Sequence, residues 1–217
     1  MYKAVIFDLD GTTVDSEIAI QHSANQSLRE HNLRELPVEM YKRFAGDGQY
    51  ELIKRAVRAA GDEELTCYES VMARYIELFK EGCDYQVAPC KGMKEAIEVI
   101  KKKGLKVAIL TNKAHDNGVK VIDTAYGAGF FDYVLGQKDT HKKKPSPEGA
   151  VIVAKELGVE CEECLYVGDT AVDINTGKAA GMDTVAVTWG FRTRKELEKE
   201  NPKYMIDRAE QLLELIE

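Results

Sequence analysis

The chain contains no apolar run approaching the roughly 18 residues of a membrane span. Its apolar start, Ala4 to Phe7, meets Asp8 and Asp10 too soon for a signal peptide. No membrane partner is therefore expected, and the expected compartment is the cytoplasm. A basic excess is also missing, since 30 Lys and Arg stand against 37 Asp and Glu for a formal charge of −7. That balance supplies no field to gather nucleic acid or an anionic membrane, although a local basic patch can still hold a small anionic substrate. The cysteines are odd in number (Cys67, Cys83, Cys90, Cys161 and Cys164) and lack the regular spacing of a secreted disulfide framework. Cys161-Glu-Glu-Cys164 has the spacing of half a zinc site or of a redox pair. No second pair completes a tetrahedral set, so free thiols at a helix-to-strand junction are the simpler reading. Internal repeats and low-complexity linkers are absent. What remains is 217 residues, 44% of them hydrophobic, enough for a real core in one large or two small domains.

Four short apolar runs end abruptly in a polar residue, the pattern of strands buried on both faces of a parallel sheet. They are Ala4 to Asp8, Lys106 to Thr111, Cys164 to Asp169 and Thr184 to Thr188; a weaker run, Tyr133 to Leu135, supplies a fifth strand. Between them, apolar residues at three and four spacing predict helices over Met93 to Lys103, Gly118 to Tyr126, Pro147 to Leu157 and Asp173 to Ala180. Alternating strands and helices predict an α/β domain with right-handed crossovers. Residues 16 to 81 break the alternation. They carry no convincing strand and read as helices around Ile18 to His31, Pro37 to Phe44, Tyr50 to Ala60 and Glu63 to Lys80. The predicted organisation is a discontinuous core, 1–15 and 82–217, with a helical insertion over 16–81 placed above the strand ends. The end of the chain, Ala209 to Glu217, reads as a surface helix with Leu212, Leu213 and Ile216 turned to the core.

In an open parallel sheet, ligands bind where the loops diverge at the carboxyl ends of the strands. The polar residues that end these strands are Asp8 and Asp10, Thr111 and Asn112, and Asp169 and Asp173, with Lys144 in the loop before a Pro-started helix. Each motif alone has a plain structural explanation as a turn or helix cap. Their convergence on one edge does not. Close carboxylates repel by about 4 kcal/mol per pair at an effective dielectric near 20, so such a gathering calls for a counter-ion. Oxygen-only ligands suit a hard divalent cation, Mg²⁺ before Zn²⁺.

With these motifs, in this order, the sequence resembles the haloacid dehalogenase superfamily of aspartate-nucleophile phosphohydrolases over nearly its whole length. The resemblance implies an open parallel-sheet, Rossmann-like core with an inserted all-helical cap, entered through Val14-Asp-Ser-Glu17. It assigns Asp8 as nucleophile, Asp10 as general acid/base, Thr111 as a donor to phosphate and Lys144 as the cation between nucleophile and phosphate. Asp8, Asp10, Asp169 and Asp173 are assigned to the metal, Asp173 from the outer shell. The chemistry is physically coherent, because a carboxylate attacks a phosphate dianion only where cations offset the charge on both partners. Asp10, two residues on along an extended segment, faces the same side as Asp8 but farther along, where it can protonate the leaving alkoxide.

Dehalogenases of the superfamily lack an Asp two residues after the nucleophile, since a halide needs no proton; Asp10 therefore argues for a phosphatase. The segments Arg43-Phe-Ala-Gly-Asp-Gly48, Thr111-Asn-Lys113, Lys144-Pro-Ser-Pro147 and Trp189-Gly190 are most similar to phosphoglycolate phosphatases. The expectation is a Mg²⁺-dependent phosphomonoesterase for a small phosphorylated metabolite such as 2-phosphoglycolate. Asn112, Arg43, Gly46 and Gly48 are its substrate contacts, Arg43 binding the substrate carboxylate. The alternatives are a sugar phosphomutase resembling β-phosphoglucomutase, or a phosphatase for another sugar phosphate, a nucleotide or pyrophosphate. Nothing in the sequence reports the oligomeric state.

Overall fold

The computed structural model describes residues 1–216. The core is a six-stranded, all-parallel sheet formed by β1 (Ala4–Phe7), β4 (Lys106–Ala114), β5 (Tyr133–Gln137), β6 (Cys164–Gly168), β7 (Asp183–Val187) and β8 (Tyr204–Ile206), in the order β5-β4-β1-β6-β7-β8. β1 lies between β4 and β6, where the strand order reverses, which is the position from which an α/β sheet presents ligand-binding loops. All four β1 side chains are buried, because helices cover both faces; alternation of apolar and polar residues would have exposed one. Five helices flank the strands: α5 (Met93–Lys102), α6 (His115–Tyr126), α7 (Glu148–Leu157), α8 (Ala171–Ala179) and α9 (Arg194–Lys199).

The helical insertion comprises α1 (Glu17–Glu30), α2 (Val38–Phe44), α3 (Gln49–Ala60) and α4 (Tyr68–Gly82). The chain leaves the core through β2 (Val14–Asp15) and returns through β3 (Ala88–Pro89), which pair antiparallel and staple exit to entry. Along α3 the buried residues are Leu52, Ile53, Ala56, Val57 and Ala60, one stripe at helical spacing, and the helix ends at Gly61 in the left-handed conformation that a Cβ disfavours. Tyr75 and Phe79, one turn apart on α4, stack at 5.1 Å between ring centroids.

Besides the short β2–β3 pair, two elements of the core were not expected from the sequence. α9 is six residues with a single buried apolar side chain, Leu197, and β8 is a three-residue edge strand. The final segment is also shorter than a continuous helix: a 3₁₀ turn over Ala209–Gln211 precedes α10 (Leu212–Leu215). Leu212 and Ile216 are buried as expected and Leu213 is partly so, while Glu217 lies outside the described residues. All five cysteines are free thiols, Cys161 in a 3₁₀ turn and Cys164 opening β6. No helix among the described residues is long and apolar enough to cross a membrane.

Candidate active site

Asp8 follows β1 directly and is fixed there by its N–H, which donates to the Val167 carbonyl of the neighbouring strand at 2.9 Å. Lys144 Nζ lies 2.8 Å from Asp8 Oδ1 and 2.7 Å from Asp173 Oδ1, with 4% of the lysine exposed. Asp8, Asp169 and Asp173 each bring a carboxylate oxygen within 4.8 Å of the others. Three carboxylates against the one ammonium of Lys144 leave 3 − 1 = 2 negative charges in a buried space, the deficit that a divalent cation balances.

Titration behaviour reflects the same imbalance. Burial, then Asp173, pushes the Asp8 carboxyl well above the ordinary range against the pull of Lys144. Burial and Asp173 raise Asp169 to about 7, opposed by the Phe191 N–H and the Thr12 hydroxyl. Burial works against the Lys144 charge, but Asp173 and Asp8 outweigh it and keep the ammonium protonated.

The Asp169 and Asp173 carboxylates are each braced by neighbouring protein groups. Thr12 Oγ1 donates to Asp169 Oδ1 at 2.9 Å, and the Phe191 N–H donates to Oδ2 at 2.6 Å. Asp173 closes a capping box at the start of α8, its Oδ2 accepting from the Thr170 N–H at 3.0 Å and hydroxyl at 2.6 Å. With both oxygens engaged, Asp173 supports the cluster from behind. Asp10 stands apart. Its carboxylate is not in the cluster with Asp169 and Asp173; it accepts from Ser16 Oγ and pairs with Lys113 Nζ at 2.8 Å. The Asp10 carboxylate thus sits on the cap side of Asp8, apart from the other three residues that the sequence assigned to the metal.

Asp8, Asp10, Thr111, Asn112, Lys144, Gly46 and Gly48 all line one cavity of about 570 Å³ including its mouth, between the strand ends and the helical insertion. Thr111 lies within the buried run of β4, which continues to Lys113, and lines this space. The Asn112 side chain, expected to contact substrate, is occupied otherwise: Oδ1 accepts from the Lys144 N–H at 2.8 Å, and Nδ2 donates to the carbonyls of Gly46 at 3.0 Å and Lys144 at 3.1 Å. It positions the Lys144 loop and the cap turn. Gly46 and Gly48 have φ of +115° and +88°, so the turn over the site needs a residue without a Cβ at both places.

Arg43 does not meet the expectation. Its side chain is exposed and not on the cavity wall. On α2 the buried residue is Tyr41, and two residues further on the helix has turned about 200°, which carries Arg43 to the outer face. His115 and His141 also lie off the cavity wall, and Trp189 packs with its indole N–H on the Thr12 carbonyl at 3.1 Å.

Sequence reasoning passed over two residues. Lys113 is 8% exposed, lines the cavity and holds Asp10; its place two residues after Thr111 on a strand, and so on the same face, was the available signal. Arg192 reaches from the core to the cap turn and donates to the main-chain oxygens of Lys42 at 2.7 Å, Arg43 at 3.3 Å and Ala45 at 2.6 Å. Lys143 Nζ adds a bond to the Asp47 carbonyl at 2.9 Å. Together with Asn112 these donors latch the α2–α3 turn over the site.

Comparison with known proteins matches this arrangement. The family model described as haloacid dehalogenase-like hydrolase matches residues 5–187. A phosphoglycolate phosphatase of Aquifex aeolicus is 30% identical over 219 aligned positions, covering 99% of this chain and 97% of that protein. The crystal structure of a candidate phosphoglycolate phosphatase from Lactobacillus delbrueckii subsp. bulgaricus superposes with a TM-score of 0.91 at 30% identity, covering 99% of this chain and 98% of that one. A β-phosphoglucomutase from Clostridium difficile shares the fold alone, with 20% identity and a TM-score of 0.72 over 98% of this chain and 93% of that one. With the family model and end-to-end relatives agreeing with the aspartate-and-lysine site, the chain belongs to the haloacid dehalogenase-like hydrolase family, on its phosphatase branch.

Proposed function

We propose that the protein hydrolyses a small phosphomonoester in two steps through an aspartyl-phosphate on Asp8, with Mg²⁺ as its metal and 2-phosphoglycolate as the leading substrate. The carrying observation is the division of the two carboxylates after β1: Asp8 lies on Lys144 within the acidic cluster, and Asp10 lies on Lys113 and Ser16 at the cap side. One carboxylate is set to attack phosphorus and the other to manage the proton of the leaving group.

In the first step an Asp8 oxygen bonds to phosphorus as the ester P–O bond breaks, and Asp10 gives its proton to the departing alkoxide. In the second, Asp10 takes a proton from water as the water oxygen attacks phosphorus and the P–O bond to Asp8 breaks. Thr111 and the main-chain N–H groups around Leu9 and Asn112 hold the equatorial oxygens. Mg²⁺ held by Asp8 and Asp169, with Asp173 behind them, supplies positive charge that keeps Asp8 ionised and offsets the phosphate. The cavity wall beyond Asp10 is formed by Ile20, Leu52, Tyr75 and Phe79 with Gln49 and Lys113, a mostly apolar surface that offers the many hydroxyls of a sugar ring few partners and favours a short leaving group over a mutase substrate.

The test is steady-state turnover on a panel of phosphomonoesters, before and after chelation. Hydrolysis that requires Mg²⁺ and prefers 2-phosphoglycolate over hexose phosphates and nucleotides supports the reading. Full activity after exhaustive chelation overturns the metal's part, and preference for a hexose phosphate or nucleotide overturns the substrate.

A further inference from the structure

The cap side of the cavity contains one cation, and it belongs to the core. Lys113 Nζ is buried, pairs with Asp10 Oδ1 at 2.8 Å, lies 4.8 Å from the centroid of the Phe79 ring, and has no other polar partner. An ammonium has three N–H donors, and one carboxylate oxygen and a ring face leave it under-satisfied. A lysine needed only as a counter-charge for Asp10 gains nothing from burial against Phe79, because a half-exposed ammonium leaves its spare donors to water. Lys113 instead lines the cavity that receives the leaving group, with its ammonium shielded from bulk water. Tyr75 lines the same wall, and its burial, followed by the nearby Asp10 charge, keeps the phenol protonated as a second donor.

The geometry points to Lys113, assisted by Tyr75, as the binding site for a carboxylate on the leaving group. This rests on the phosphomonoesterase reading above and gives Lys113 the part that the sequence assigned to Arg43. Asp10 Oδ1 accepts from Ser16 and pairs with Lys113, which leaves Oδ2 for the ester oxygen and sets the Lys113 ammonium beside the group that the leaving alkoxide carries.

Three esters and two ligands test this in the Mg²⁺-loaded protein: 2-phosphoglycolate, its neutral counterpart 2-hydroxyethyl phosphate, and the longer 3-phosphooxypropionate, with 3-phosphonopropionate and propylphosphonate as non-hydrolysable ligands for calorimetry. In the wild type, kcat/KM for 2-phosphoglycolate should exceed that for 2-hydroxyethyl phosphate by tenfold or more. Lys113→Met should bring its ratio to 2-hydroxyethyl phosphate within about threefold, chiefly through KM, and Lys113→Arg should retain part of the preference. 3-Phosphonopropionate should bind wild type at least tenfold more tightly than propylphosphonate, and Lys113→Met should lose that margin. A lysine that only holds Asp10 would lower all three esters by one factor, and that result overturns the proposal. So does a wild-type ratio near one with turnover intact, which leaves the phosphatase reading standing. If no ester is hydrolysed, the phosphatase reading falls, and the calorimetric margin in the wild type, present or absent, still decides the carboxylate site.

Discussion

The core and cap halves of the active cavity are built on opposite principles. On the core side every charge is held by fixed partners: Asp169 by Thr12 and the Phe191 N–H, Asp173 by Thr170, and Lys144 by two carboxylates and the Asn112 brace. On the cap side Ile20, Leu52, Tyr75 and Phe79 form a mostly apolar wall facing Lys113. Developing charge is stabilised best by dipoles and ions that need not reorganise, and strand ends bound on both sides provide them. A cap has to exclude water and fit a leaving group, for which apolar helix faces suffice.

The sharpest break of this contrast is Asp8→Asn, which removes the proposed nucleophile and leaves the cap wall intact. Turnover of every phosphomonoester should fall by at least about 10³-fold, and rapid acid quench with ³²P-labelled substrate should trap no hydroxylamine-labile label on the variant, whereas the wild type is labelled. Retained turnover would remove Asp8 from the mechanism.

Lys144→Met should cost less activity but more stability. Asp8 and Asp173 lose their shared cation while buried, a loss of about 3–5 kcal/mol when one partner of a buried pair is removed, with turnover down about 10²- to 10³-fold. Urea unfolding should show the deficit at pH 8 and a smaller one at pH 5, where the carboxyls can take up protons. Equal deficits at both pH values would argue that lost packing is the cause.

Metal and pH should act together on the core side. Asp169 is raised to about 7 in the fold, so its protonated form is favoured there; the stability it contributes is complete below its unfolded value near 4 and is lost as pH rises through 7. Mg²⁺ prefers the ionised cluster, so its stabilising effect should grow from pH 5 to pH 8. At about 100 times its Kd it should reach about 2.7 kcal/mol, or about 5–10 °C in Tm. Thermal melts with and without Mg²⁺ across that range check the slope; an increment independent of pH contradicts the assignment of the cluster as the metal site.

The smallest effect tests the cap side. Arg43→Ala should change kcat/KM for 2-phosphoglycolate by less than about twofold, since the side chain is exposed outside the cavity wall. A tenfold loss would require the cap to close further than it does here.

What was legible in the sequence follows the same division. Buried strands that run into Asp8, Thr111 and Asp169 announce themselves, because burial on both faces demands an apolar run that a polar residue interrupts, although β4 continues three residues past Thr111 to Ala114. The helical insertion was legible from its stripes. Arg43 was misjudged because residue type suggests a carboxylate partner whereas helix phase, set by Tyr41, decides the direction. α9 lacks a stripe, though the capping box Thr193 to Glu196 marked its start. β8 is too short for any period, and its pairing is decided by β7 beside it.

The latch on the α2–α3 turn has a consequence for how such an enzyme can change over generations. Arg192, Lys143 and Asn112 grip main-chain oxygens of Lys42, Arg43, Ala45, Gly46 and Asp47, atoms that every amino acid carries. Substitution at positions 42, 43 or 47 therefore removes none of these bonds, provided Gly46 and Gly48 keep the turn in shape. The turn over Asp8 and Asp10 can drift in side-chain chemistry while it stays fastened, which leaves new substrates reachable by single replacements that do not first unlatch the lid.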